Sequence, residues 1–102
     1  MNTKVKAYMD KVSKVVERCP DITRAVVIGN ANENNYILGC DNIPLAIFTK
    51  QNTKISKVCI DLNNMLYDSQ LKLIDIYPMA DEDFYLAVSD LLTTGETIFE
   101  RL

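Results

Sequence analysis

Histidine is missing from this chain, and that absence removes a large part of enzyme chemistry. Without it there is no imidazole general base, no histidine-containing triad and no histidine-ligated zinc. A basic surplus is missing too: 11 Lys and Arg stand against 14 Asp and Glu, for a formal net charge of −3. Proteins that hold nucleic acid by neutralising phosphates present a basic face, so no nucleic-acid partner is expected. The balance leaves room for a single nucleotide or a protein partner.

The cysteines build no framework. Cys19, Cys40 and Cys59 are odd in number, widely spaced and without a C-x-x-C pair. That pattern fits neither a disulfide set nor a zinc site, and it reads as reduced, mostly buried thiols. Long apolar runs are lacking as well: none approaches the ~20 residues of a membrane span. The first residues mix charges where a signal peptide would be apolar. A cytoplasmic setting with no membrane partner is the expectation.

What is present is ordinary for one globular domain spanning residues 1–102, with 48% hydrophobic and 25% charged residues. Val5, Met9, Val12, Val15 and Val16 recur at helical spacing and predict a helix over 3–18, capped by Asn2 or Thr3 and ended by Cys19-Pro20. Residues 22–28 form an apolar strand that stops at Gly29. Residues 30–35, rich in Asn, form either a short helix or a loop, and Tyr36, Ile37 and Leu38 return to the core. A second strand covers 43–49, with Pro44 confined to its first residues or to a sheet edge. A helix is predicted over 55–67, a strand over 71–77 closed by Pro78, and a last helix over 81–94 opened by Asp81, Glu82 and Asp83. Gly95 marks a break. Ile98, Phe99 and Leu102 then make an apolar tail that either packs on its own sheet or joins a homo-oligomer or partner surface. The order is αβ(α)βαβα, an α/β domain with a mixed sheet backed by helices.

Four segments taken in order carry a resemblance: VVIG at 26–29, LAIF at 45–48, LKLIDIY at 71–77 and TTGETIFERL at 93–102. Together they resemble the minimal nucleotidyltransferases of the DNA polymerase beta superfamily, over nearly the whole chain. The resemblance implies a Gly-Ser turn that binds phosphate, an Asp-x-Asp pair on the next strand and a third carboxylate on a neighbouring strand, which together hold Mg²⁺ against the nucleotide. Here Gly29 and Asn30 stand at the phosphate turn, and Asp75 matches the third carboxylate. Aligned back from LAIF, Asn42 and Pro44 occupy the paired carboxylate positions; aligned forward from Gly29, Asp41 and Ile43 do. Neither register supplies two carboxylates, so no metal site is expected.

Three functions follow as expectations. The first is a catalytically silent nucleotidyltransferase-like module, binding or regulatory, of the kind that the resemblance associates with prokaryotic toxin–antitoxin pairs. The second is an active enzyme whose altered Mg²⁺ site uses Asp41 and Asp75 as catalytic residues. The third is an unrelated α/β protein-interaction domain. Plainer readings stand beside these: Asp41 as a turn residue, and Asn30, Asn32, Asn34 and Asn35 as a solvated loop. Asp75, an ion between two isoleucines, requires solvent, a partner or a pocket.

Overall fold

The structure, a computed structural model, describes residues 1–79 and 93–101. Helix α1 covers Thr3–Glu17, and its N-terminus is closed by Asn2, whose side-chain oxygen accepts from the Val5 N–H at 2.9 Å. Its five valine and methionine positions are all buried. After Cys19-Pro20 the chain enters strand β1, Ile22–Val27, and then a 3₁₀ turn over Gly29–Asn32. Strand β2 is Ile43–Thr49, helix α2 is Ile55–Asp68, β3 is Ile74–Pro78 and β4 is Glu96–Glu100.

The four strands form one mixed sheet in the order β3-β2-β1-β4. β1 runs antiparallel to both β2 and β4, and β2 runs parallel to β3 across the α2 crossover. On one face Ile22, Ala25, Val27, Ile43, Leu45, Ile47 and Ile74 join the apolar stripes of α1 and α2 in the main core. On the other face Val26, Ile28, Ala46 and Met79 form a second buried cluster, with Phe48 against it. Burial on both faces explains why β1 and β2 read as continuous apolar runs and not as alternating ones.

Several expectations are corrected. The apolar tail is a fourth strand: Ile98 and Phe99 pack, half-buried, on the main core of their own sheet. Leu102 and the helix expected over 81–94, apart from its last two residues, lie outside the described residues. The third strand begins at Ile74, not at 71, because residues 70 and 71 close the preceding helix. Gln70 takes a left-handed conformation (φ 62°), its N–H donates to the Tyr67 carbonyl, and the Leu71 N–H donates to the Leu66 carbonyl. This double closure, with Leu71 and Leu66 both in the core, ends a helix without glycine. Pro78 does not follow β3 but belongs to it. Ile37 does not return to the core with Tyr36 and Leu38; it is 71% exposed. Of the thiols Cys19 is buried and Cys59 half-buried, but Cys40 is exposed. No helix among the described residues is long and apolar enough to cross a membrane.

Candidate functional site

The end of β1, the start of β2 and the start of β3 meet at one end of the sheet. The Ile28 N–H donates to the Pro44 carbonyl at 3.1 Å, which carries β1 into Gly29 beside Pro44. Gly29 has a φ of +81°, a left-handed conformation that glycine adopts without strain, and the Pro44 ring lies 3.5 Å from where its Cβ would stand. Pro44 is the second residue of β2, within the region expected from its missing donor. Across the parallel ladder Pro44 pairs with Asp75, so the two side chains share a face.

That alternation decides which side chains share the face of Asp75. Ile43 is fully buried in the helix-side core, and it pairs with Ile74. Asn42 and Pro44, one residue to either side, therefore take the face that Asp75 takes. The contact is direct: the Asn42 amide Nδ2 donates to Asp75 Oδ1 at 2.9 Å. Asp41 is spent on the turn, its Oδ1 accepting from the Asn42 N–H at 3.1 Å. The Tyr36 hydroxyl donates to the Asp41 carbonyl at 2.5 Å. Burial, reinforced by the neighbouring Cys40 and Asp41, pushes the Tyr36 phenol above its ordinary value, which keeps it a donor. Asn42, and not Asp41, is the side chain that reaches Asp75.

The asparagines divide between two roles. Asn30 is exposed at the turn, where its carbonyl accepts from the Glu33 N–H. Asn32 is structural: its Nδ2 donates to the Val27 carbonyl at 2.9 Å and to the Thr94 carbonyl at 3.4 Å, tying the turn to β1 and to the approach of β4. The Asn34 and Tyr36 carbonyls both accept from the Asn2 amide, at 3.4 and 2.6 Å, so one residue caps α1 and pins the loop. Sequence reasoning missed this double use of Asn2. Its signal is a side chain with a donor and an acceptor placed ahead of a helix.

A concavity of about 340 Å³ borders Asp75, lined by Cys59, Ile60, Asn63, Asn64, Ile74 and Ile76. Among the described residues no group of three or more Cys, Asp or Glu side chains stands close enough together to hold a metal ion. The site presents one carboxylate, two amides and the backbone of a glycine turn. That set is suited to hydrogen bonding and short of what a divalent cation takes. Compared with known proteins, the chain matches no family model and no curated protein.

Proposed function

We propose that this chain is a catalytically silent nucleotidyltransferase-like module that acts by binding, as a regulatory or toxin–antitoxin-type component. The observation that carries this reading is the Asn42–Asp75 hydrogen bond. In a working site of this kind the strand residues beside Asp75 would be carboxylates, and the charge between them would be balanced by Mg²⁺. Here an amide donor meets the remaining carboxylate directly, and Pro44, across the ladder from Asp75, offers no ligand atom. Asp41 adds nothing to the pair, since its carboxylate faces the Asn42 backbone. The glycine turn and the exposed Asn30 amide are left for a nucleotide or for a protein partner.

The test restores what the site lacks. The triple variant Asn30→Ser, Asn42→Asp and Pro44→Asp clusters three carboxylates, which repel and lower its thermal midpoint in metal-free buffer. Mn²⁺ is expected to recover roughly 5 °C, the scale of ~1 kcal/mol in a domain this small, by binding only the folded variant. The natural chain should not respond, and calorimetry should show no Mg²⁺–ATP binding tighter than about 10 μM, ~−7 kcal/mol. A variant midpoint indifferent to Mn²⁺ would remove the family reading; tight Mg²⁺–ATP binding by the natural chain would remove the silence.

A further inference from the structure

We propose that Tyr36 is a positioning residue for the candidate site, its hydroxyl fixing the peptide between Asp41 and Asn42 and thereby the Asn42 side chain on Asp75. The proposal deepens the reading above, and it rests on that reading only in taking Asn42 and Asp75 as the site.

The pair does not hold itself in place. Both residues are exposed, and a hydrogen bond in contact with water contributes little unless its two groups are already positioned. Asp75 is positioned by the β2–β3 ladder. Asn42 stands just before β2, at the end of the loop 33–42. On its far side Ile43 fixes the chain, buried and donating its N–H to the Leu73 carbonyl. On its near side the planar peptide unit between Asp41 and Asn42 is held at both of its polar groups. The carbonyl accepts from the Tyr36 hydroxyl at 2.5 Å, and the N–H donates to Asp41 Oδ1 at 3.1 Å. The tilt of that unit sets the Asn42 φ, and the backbone angles decide which rotamers the side chain takes.

Tyr36 is itself anchored. Its ring packs half-buried on the main core, and its own carbonyl accepts from the Asn2 amide at 2.6 Å. Between Tyr36 and Asp41 the loop is lightly held. Ile37 is 71% exposed, the Cys40 N–H closes only a local turn onto the Ile37 carbonyl, and nothing lies within 4 Å of where a Gly39 Cβ would stand. Leu38 does pack on the core, but three residues before Asn42 follow it. A path of hydrogen bonds therefore runs from Asn2 through Tyr36 and the peptide at Asp41 to Asn42 and Asp75. With it intact the site meets a ligand as an amide–carboxylate pair. Without it the site is a bare carboxylate, open to a cationic group.

Solution NMR of the full chain, following the Asn42 side-chain amide, tests this. It uses neither metal nor nucleotide, so this proposal and the reading above fail separately. Asp75→Ala supplies the shift and water-exchange rate of that amide with its acceptor gone. Tyr36→Phe keeps the ring on the core, and the Asn42 amide should move towards the Asp75→Ala values, its exchange rising about fivefold. Asn2→Asp keeps the oxygen that caps α1 and removes the donor to the Tyr36 carbonyl; it should move the Asn42 amide the same way, by less. The backbone amides of Ile43 and of α1 should be unchanged in Tyr36→Phe. An Asn42 amide that keeps its natural shift and exchange in Tyr36→Phe overturns the proposal. So does one that already matches Asp75→Ala in the natural chain, or an equal change at Ile43, which would make the effect a general loosening.

Discussion

β3 and β4 are both five-residue edge strands, and they are held in opposite ways. β4 is fastened from several sides. The Ser13 hydroxyl donates to the Ile98 carbonyl at 2.9 Å, Arg24 reaches the Thr97 hydroxyl at 3.3 Å, and the Met1 ammonium lies 3.7 Å from Glu96. Just past the strand, the Arg101 guanidinium donates to the carbonyls of Glu17, Cys19, Pro20 and Ile22 at 2.8–3.1 Å. It thereby satisfies the C-terminal end of α1 and the turn that follows, groups a helix end leaves open. β3, beyond its ladder, has one side-chain bond among the described residues, from Asn42 to Asp75. The difference separates stability from recognition. Among the described residues, polar wiring is concentrated where β1 begins and along β4, and the candidate site lies where β1 ends.

The comparison breaks most directly at Arg101. Arg101→Met removes all four carbonyl partners and the guanidinium that stacks over the Phe99 ring, and it should lower stability by about 3 kcal/mol in urea unfolding. Arg101→Lys should recover less than half, because an ammonium cannot reproduce a planar fork serving several acceptors. A loss no larger than that of a surface substitution would mean that water replaces the guanidinium freely, and that the two edges are held alike.

A smaller loss is expected at Gly95, where β4 meets the end of β1. A Cβ there would stand 2.7 Å from Val26 Cγ1 and 2.9 Å from the Val27 carbonyl. Gly95→Ala must push the strand away from β1, at about 2 kcal/mol. The matched control is Gly39→Ala, in the loop before β2, where a Cβ meets nothing and the φ of +96° alone opposes the change. That variant should lose about 1 kcal/mol. Equal losses would show that Gly95 serves conformation and not close approach.

Helices α1 and α2 and the strands at 22–28 and 43–49 were legible in the sequence because periodicity and burial agree there. Val5, Met9, Val12, Val15 and Val16 can share only one helix face, and Asn2 ahead of them caps it. β4 was not legible, because five residues with two charges and one Thr carry no strong pattern, and its hold comes from Arg101, Ser13 and the space around Gly95. None of these is local in sequence. The start of β3 was misplaced because Leu71 is apolar for a different reason: it closes α2 against Leu66. At the candidate site the residue types were legible and their pairing was not. Whether Asn42 or Asp41 faces Asp75 depends on which side Ile43 buries, and that is decided by the core of the whole sheet.

The smallest expected effect is a pH dependence, and it sharpens the same contrast. Burial raises the Cys19 and Cys59 thiols above their ordinary 9.0 and the Tyr8 phenol above 10.0. For Cys19 the next contribution, also upward, is Asp61, opposed by Arg18 and Arg101. For Tyr8 the Leu73 N–H, donating to the phenol oxygen at 2.9 Å, opposes the rise. In each case the folded chain keeps a proton that the unfolded chain gives up. Stability from these groups is therefore complete below about pH 9 and falls as pH climbs through the raised folded values, first for the thiols and then for Tyr8. Urea midpoints measured from pH 8 to 11 should be level and then decline. Cys19→Ala should flatten the first part of the decline, and Tyr8→Phe the second. The exposed Cys40, at the open end of the sheet, supplies the reference: a thiol reagent at pH 8 should modify it readily, while Cys19, below the Arg101 cap, reacts only as the chain opens. A stability that rises between pH 9 and 11, or equal labelling of Cys19 and Cys40 in the native protein, would mean the Arg101 end is no more closed than the site end.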